Sequence, residues 1–343
     1  MASRKNFFEG KKVLITGGAG SIGSEILRSI LKFRPKSVRS LDINENRQFE
    51  LKHELGSPMN VGFLIGDIRD RERMMMAVED IDIIFHAAAL KHVPLCEYNP
   101  FEAAKTNVFG TQNVIEAALH AEVEKMITIS TDKAVNPVNV MGATKLLAER
   151  LTINANSYKG KKRTVFSCVR FGNVLDSNGS VIPLMKKQIK AGGPVTITDT
   201  DMTRFVMSIS KAVDLVLKAT TEAKAGDIYI LKMPVMRIED LAEVMIEELA
   251  PAYGFKPEQI KRKIIGRRCG EKLFEELMTQ DECGNMEEEE LMFKIHSLPD
   301  LVGTIQEKKT ESQYGKTCNI DSKNAKALSR EELRLLLKEA GII

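Results

Sequence analysis

Long apolar runs are missing. No stretch of the 343-residue chain approaches the roughly 18 consecutive apolar residues of a membrane-spanning helix, and its opening residues lack the apolar core of a secretory leader. The expectation is a cytoplasmic protein without a membrane partner. Cysteine is also scarce: Cys96, Cys168, Cys269, Cys283 and Cys318 are odd in number and scattered without metal-ligand spacing. That fits a reducing compartment better than a disulfide framework and predicts no metal site. A surplus of charge is absent too, since the formal net charge is +3 and both signs are interleaved throughout. No concentrated basic face marks a nucleic-acid partner. Repeats and low-complexity segments do not occur. His86 and His92 have no ligand partners at usable spacing, which predicts structural roles.

What is present is alternation. Short apolar runs at 12–16, 37–42, 61–65, 81–86, 125–130 and 164–171 are separated by helix-period segments starting at Ser21, Asn44, Pro100 (through 121) and Gly142. Strands separated by helices imply parallel crossovers and a doubly wound α/β sheet. After Phe171 the rhythm changes: 173–201 is rich in Gly, Pro, Ser and Thr, 203–220 reads as a helix, and 226–232 reads as one more strand. Further on come a helix from Ile238, a basic stretch at 261–272, an acidic turn at 287–290, and a final helix over 329–340 opened by the capping box Ser329-x-x-Glu332. The expected organisation is a dinucleotide-binding unit over 1–172, to which 203–232 returns, and a smaller interleaved substrate lobe with a C-terminal tail over 173–343.

Thr16-Gly17-Gly18-Ala19-Gly20-Ser21-Ile22-Gly23 follows the first strand and opens a helix. In that context Gly17 permits a tight turn, Gly20 lets the backbone approach a pyrophosphate, and Gly23 allows close helix–sheet packing. The helix N-terminus at Ser21 and Ile22 supplies N–H groups and positive potential. Asp42 ends the second strand about 20 residues on, where an acid hydrogen-bonds an adenosine ribose and repels a 2′-phosphate. This Rossmann-type pattern predicts NAD, with NADP as the alternative because Arg47 is near in sequence. Asp67 and Ile68 follow the third strand, near the expected adenine. Ala87, Ala88 and Ala89 follow the fourth, where ribose and nicotinamide must lie flat.

Ser130-Thr131-Asp132-Lys133 closes the fifth strand, and Met141-Gly142-Ala143-Thr144-Lys145 follows. A short-chain dehydrogenase places a Tyr general base four residues before such a lysine. Here Met141 stands there, and a thioether neither takes nor gives a proton. With these segments, 86–94 (His-Ala-Ala-Ala-Leu-Lys-His-Val-Pro), Thr106-Asn107-Val108-x-Gly110-Thr111, Arg170-Phe171-Gly172-Asn173-Val174 and Gly266-Arg267-Arg268-x-Gly270-Glu271-Lys272, the chain resembles the extended short-chain dehydrogenase/reductase superfamily. It resembles most closely the UDP-N-acetylglucosamine 4,6-dehydratases of polysaccharide biosynthesis, some of which carry Met in place of the Tyr. The likeness spans roughly the first 280 residues and fades in the tail. It implies that Lys91 touches cofactor or substrate, that Met141 abuts the substrate, that Asn173 holds the sugar nucleotide, and that Arg267 and Glu271 grip its diphosphate and ribose. It also implies a homo-oligomer. NADP-using members often have Ser-Arg where Asp42-Ile43 stands here, which favours NAD.

Dehydrating a hexose across carbons 5 and 6 requires carbon 4 to be oxidised first, so that the carbon 5 proton lies next to a ketone; the stored hydride then returns to carbon 6. Related sugar dehydratases have Thr-Asp-Glu where this chain has Thr131-Asp132-Lys133. The expected roles are Lys133 as base at carbon 5, Asp132 as acid toward the carbon 6 hydroxyl, Thr131 as hydrogen-bond partner of the carbon 4 oxygen, and Lys145 as ribose contact and alkoxide stabiliser. A free Lys is a poor base near neutrality, so Lys133 is expected to be depressed by burial or by Lys145 or Lys91. A sugar-nucleotide epimerase on the same fold and a non-catalytic nucleotide sensor are the alternatives. Retention or inversion at carbon 5 is left open by the sequence.

Overall fold

The computed structural model describes residues 7–296 and 320–343. Its strands in chain order are β1 (Lys12–Thr16), β2 (Ser37–Asp42), β3 (Val61–Ile65), β4 (Ile83–His86), β5 (Lys125–Thr131), β6 (Val165–Phe171), β7 (Asn173–Val174), β8 (Val195–Ile197), β9 (Thr203–Met207), β10 (Ile228–Leu231), β11 (Val235–Arg237), β12 (Arg262–Ile264), β13 (Met286–Glu288) and β14 (Met292–Ile295). The helices used below are α1 (Ser21–Leu31), α2 (Glu45–Glu54), α3 (Arg71–Val78), α4 (Val93–Tyr98), α5 (Pro100–Ala104), α6 (Gly110–His120), α7 (Val140–Tyr158), α8 (Val181–Lys190), α9 (Ile209–Glu222), α10 (Ile238–Leu249), α11 (Gln280–Cys283) and α12 (Arg330–Glu339).

Among the described residues the main sheet runs β13-β14-β10-β6-β5-β4-β1-β2-β3. From β3 to β10 every pairing is parallel, and β14 and β13 add antiparallel strands at one edge. Strands buried on both faces need apolar residues at successive positions, and β4 is buried at all four. One face is covered by Ile26, Leu27 and Ile30 of α1 with Val213, Val216 and Leu217 of α9. The other is covered by Met74, Ala77 and Val78 of α3 with Val114, Ile115 and Ala118 of α6. Each such Ile, Leu, Val or Met side chain, taken from water to full burial, contributes about 1.5–3 kcal/mol before conformational entropy is set against it. Chain order reverses between β1 and β4, so their C-terminal ends open a crevice, which is where ligands bind in such sheets.

A second core joins Ile182, Met185 and Ile189 of α8 to Leu241, Val244 and Met245 of α10 and to Leu333 and Leu337 of α12. Two small sheets, β11-β9-β7 and β12-β8, lie outside the main sheet. No helix of the described residues is long and apolar enough to cross a membrane.

Four local expectations are corrected. Residues 203–220 are not one helix: β9 pairs antiparallel with β11, and α9 begins only after Ser208, whose side chain accepts from the Lys211 N–H. The helix expected at Gly142 starts at Val140 because Asn139 caps it, accepting from the Gly142 N–H at 2.7 Å. The long helix over 100–121 carries a π-turn at Lys105–Phe109, where Asn107 accepts from Leu90 N at 2.8 Å and donates to Leu90 O at 3.0 Å, pinning the loop after β4. Finally, Cys283 is disulfide-bonded, so the fully reduced set of cysteines does not hold.

Candidate active site

The glycine loop meets the ends of β2, β3 and β4 in a cleft of about 360 Å³ lined by Gly17, Gly20, Asp42, Ile43, Asp67, Ile68, Arg69, Ala87, Ala88 and Ala89, with Glu102 and Thr106 at its margin. Gly17 has φ +68°, and a Cβ there would lie 2.7 Å from backbone atoms of Ala88. Any side chain is excluded by conformation and by contact alike. A Cβ on Gly23 would come within 2.2 Å of the Gly17 carbonyl oxygen, as its packing role requires. Gly18 belongs with them although spacing did not single it out, since a Cβ there would sit 2.2 Å from Ser40 Oγ.

Asp42 accepts from Ala19 N at 3.1 Å and from Asn44 N at 2.9 Å, which fixes its carboxylate beside the loop. Burial raises the Asp67 carboxyl, but hydrogen bonds and charge from Arg69 outweigh it and hold Asp67 below its ordinary range. Arg69 also pairs with Glu102 at 2.7 Å. Arg47, expected near this site, pairs with Glu50 on α2 and is not part of the cleft wall. Ser21 is tied elsewhere, accepting from Asn178 N at 3.1 Å, while Ile22 and Gly23 continue into α1.

A second cleft, of about 580 Å³, carries Lys91, His92, Lys133, Asn139, Asn173, Lys187, Arg204, Arg268, Glu271, Lys272 and Glu275 in its wall. Six of these are cationic and two are carboxylates, a balance suited to an anionic ligand. At its floor β5 ends and turns. Thr131 Oγ1 donates to Asp132 Oδ1 at 2.9 Å, and Lys133 Nζ donates to Asp132 Oδ1 at 2.9 Å and to Asn173 Oδ1 at 3.1 Å. Glu275 Oε1 lies 3.5 Å from the same ammonium. Asp132 is wholly buried, and its Oδ2, like Glu275 Oε2, has no protein partner. A Cβ on Gly172 would stand 3.0 Å from Asp132 Oδ2 and 2.8 Å from Phe205, so glycine is what keeps that carboxyl seated.

The expectation of a depressed Lys133 is not met. Burial lowers it, but the carboxylates of Asp132 and Glu275 outweigh burial and raise it above the ordinary lysine value. Lys145 is lowered by burial, and its Nζ donates to the Ile129 carbonyl at 2.6 Å; it belongs to neither cleft wall. Lys91 lines the second cleft and is lowered by desolvation. His86 is structural: it bridges Thr16 Oγ1 at 2.7 Å and Thr111 Oγ1 at 3.0 Å, and burial, aided by Lys145, pushes it down to about 3. His92 departs from its structural expectation by lining the cleft.

Two expected substrate contacts are not brought to this wall. Met141 is 3% exposed and packs with Cys96 and Ala103, because α4 and α5 close over its position in the first turn of α7. Arg267 is more than half exposed and lies 3.6 Å from Asp199; its neighbour Arg268 takes the cleft position. Arg204 and Glu275 were missed altogether. Arg204 donates to the Thr203, Leu273 and Lys272 carbonyls, and Glu275 is 2% exposed.

The sequence matches the family described as polysaccharide biosynthesis protein over residues 13–297. It is 61% identical over 98% of both chains to a protein of Methanocaldococcus jannaschii named an uncharacterized membrane protein. It is 44% identical over 80% of its length, and 79% of the relative's, to a UDP-N-acetylglucosamine 4,6-dehydratase (inverting) of Campylobacter jejuni. A UDP-glucose 4-epimerase of Rickettsia bellii is 39% identical over 96% of both chains. Among solved structures, Pen from Bacillus thuringiensis superposes with a TM-score of 0.89 at 47% identity, over 97% of this chain and 98% of that one.

Proposed function

The chain belongs to the polysaccharide biosynthesis protein family, and from that premise we propose that it is a nucleotide-sugar 4,6-dehydratase. The reading is that it converts a UDP-N-acetylhexosamine, with UDP-N-acetylglucosamine the first candidate, to a 4-keto-6-deoxy sugar nucleotide. The observation that carries it is Lys133, held by Asp132, Asn173 and Glu275 on the floor of a cation-rich cleft.

The glycine cradle fits a dinucleotide: the space a Cβ would fill at Gly17 is already closed by Ala88, and the Asp42 carboxylate stands beside it where a ribose hydroxyl donates. Gly17, Gly20, Asp42, Asp67, Ile68 and Ala87 to Ala89 are the residues that would hold NAD. When bound, NAD supplies the hydride acceptor for carbon 4 and the hydride for carbon 6. The Asp42 charge and its ribose preference are our grounds for NAD over NADP. In the second cleft Lys187, Arg268 and Lys272 meet the diphosphate, and Asn173 and Lys91 orient the sugar. Thr131 hydrogen-bonds the carbon 4 oxygen, Asp132 takes the proton that leaves the hydroxyl there, and the buried Lys145 supplies positive charge from behind the end of β5.

Lys133 takes the carbon 5 proton. Asp132, in contact with Lys133, passes the proton from the carbon 4 hydroxyl to the departing carbon 6 hydroxyl, which leaves as water, and the proton held on Lys133 balances the one that carbon 5 regains, so no external acid is consumed. Met141 takes no part in proton transfer.

A second reading, sugar-nucleotide epimerase, draws on the likeness to the UDP-glucose 4-epimerase over nearly the whole chain. The thioether at Met141 counts against it, because such a reaction wants a phenolic base there. Incubation with NAD and UDP-N-acetylglucosamine, followed by mass spectrometry, separates the two: a product lighter by one water is expected, and one of unchanged mass would favour the epimerase.

A further inference from the structure

Glu275 has no role in the chemistry described so far, yet its surroundings are those of a working group. It lies in the segment leading to α11, is 2% exposed, and contributes to the wall of the second cleft. Its backbone is clamped on both sides by Ser322, whose Oγ accepts from Glu275 N at 2.9 Å while Ser322 N donates to the Glu275 carbonyl at 2.8 Å. Ser322 Oγ also shares a hydrogen bond with Thr203 Oγ1 at 2.9 Å. The C-terminal segment therefore fixes this carboxyl in place.

Lys133 has three acceptors within reach: Asp132 Oδ1 at 2.9 Å, Asn173 Oδ1 at 3.1 Å and Glu275 Oε1 at 3.5 Å. An ammonium has three N–H donors and no lone pair; with two of them donated to Asp132 and Asn173 and Glu275 paired alongside, Lys133 in this arrangement is charged and is not a base. Before it can remove a proton from carbon it must lose one of its own. Asn173 cannot accept it. Asp132, although its Oδ2 has no protein partner, is needed to carry a proton from the carbon 4 hydroxyl to the leaving hydroxyl.

We propose that Glu275 acts through Lys133, as a positioning residue that accepts the surplus proton and thereby frees the amine for abstraction at carbon 5. The inference rests on the dehydratase reading. The first step is Lys133–NH3⁺ with Glu275–COO⁻ going to Lys133–NH2 with Glu275–COOH. In the second, the carbon 5–hydrogen bond breaks, a nitrogen–hydrogen bond forms, and the bonding pair moves toward the carbon 4 carbonyl oxygen as an enolate. Charge and protons balance within the site. In the open cleft the Asp132 and Glu275 carboxylates hold Lys133 charged; burial disfavours the charged form of both partners, and a substrate that fills the cleft excludes water and moves the pair toward its neutral form. Consistently, Glu275 is raised above the ordinary carboxylate range, chiefly by burial and partly by Asp132, against the opposing pull of Lys133, Arg204 and Lys272.

The groups that face Glu275 are Asp132 and Lys133 at the end of β5, Arg204 on β9, and Lys272 on its own segment. The shift of the surplus proton from Lys133 to Glu275 is internal, so the single-turnover rate of carbon 5–hydrogen cleavage in the full-length, NAD-loaded protein should be flat across neutral pH. In Glu275→Gln the amine forms only by losing a proton to solvent, so the rate should fall at neutral pH and climb about tenfold per pH unit, with little change in KM. Glu275→Asp keeps a carboxyl and should recover part of the plateau. A flat wild-type-like profile in Glu275→Gln would overturn the proposal, as would Glu275→Asp behaving like Glu275→Gln. A second readout needs no sugar: with ¹³C-labelled lysine, Lys133 in the NAD-bound wild type should show a titration step coupled to Glu275 that is lost in Glu275→Gln, while coupling to Asp132 persists in both. The same number of steps in both would also overturn it. The extra step without any dehydrated product would leave the proton sharing intact and refute the dehydratase reading instead.

Discussion

Met141 is the residue whose replacement best separates packing from chemistry. It occupies the position where the superfamily places its general base, yet it is 3% exposed and packs with Cys96 and Ala103, with Val93 and Val140 at the edge of the cluster. Met141→Leu conserves volume and flexibly fills the same pocket, so its cost should stay under about 1.5 kcal/mol. Met141→Ala removes most of the side chain from a closed cluster and should cost about 2–5 kcal/mol of stability. Neither change touches a proton-carrying atom. Measured in single turnover on the folded fraction, both should keep most of the dehydratase rate, while melting temperature falls clearly only for the alanine variant. Asp132→Asn inverts the pattern: the shape and the hydrogen bond from Lys133 are retained, but the acid is gone, and the rate should drop by about 10²–10⁴-fold. A crippled Met141→Leu with an unchanged melting temperature beside a healthy Asp132→Asn would refute the assignment of proton transfer to the Thr131-Asp132-Lys133 turn.

Gly17→Ala should abolish NAD binding by calorimetry, because a Cβ lands 2.7 Å from Ala88 at φ +68°; retained affinity would mean the cleft is not the dinucleotide site. Asp42→Ala should weaken NAD by about 1–3 kcal/mol, the scale of a lost buried hydrogen bond, and narrow the preference over NADP, whereas tighter NADP binding by the wild type would show that a cation such as Arg69 dominates. Arg268→Ala should raise the Kd for UDP in equilibrium binding about tenfold or more and Arg267→Ala should barely change it, since only Arg268 lines the cleft; the reverse order would restore Arg267 as the diphosphate contact. His86 is held neutral by burial at about 3, against 6.5 in water, so its contribution to stability is complete above pH 6.5 and is lost as pH falls toward 3, at about 1.4 kcal/mol per unit. Urea unfolding of wild type and His86→Gln across that window checks this, and identical pH slopes would contradict it.

The parallel sheet was legible because strands covered on both faces must be apolar without interruption, and because the glycine loop and Asp42 sit at fixed distances from strand ends. Thr131, Asp132 and Lys133 were legible as a turn at the top of such a strand. Other features depend on contacts that no local pattern encodes. Residues 203–220 read as one helix, but pairing of Phe205 with Val235 makes the first part a strand. Arg267 and Arg268 are adjacent and chemically equal, and only the path of the loop decides which one turns inward. Met141 looked like a site residue by position, and its burial came from helices packed over it. Glu275 is one acid among several in Glu271-Lys272-Leu273-Phe274-Glu275-Glu276, and a segment nearly fifty residues away, at Ser322, sets it beside Lys133. The same neighbours reversed the expected direction of the Lys133 shift.

The central claim is that Lys133 removes a proton from carbon 5 during loss of water from a UDP-N-acetylhexosamine. The direct measurement is turnover of UDP-N-acetylglucosamine with NAD in deuterium oxide, reading the mass of the product and the isotope at carbon 5. The account predicts a product that has lost one water and carries deuterium at carbon 5 with the wild type, and neither change with Lys133→Ala, which should still bind NAD and UDP. A product of unchanged chemical composition with hydrogen retained at carbon 5, or normal deuterium entry in Lys133→Ala, would contradict it.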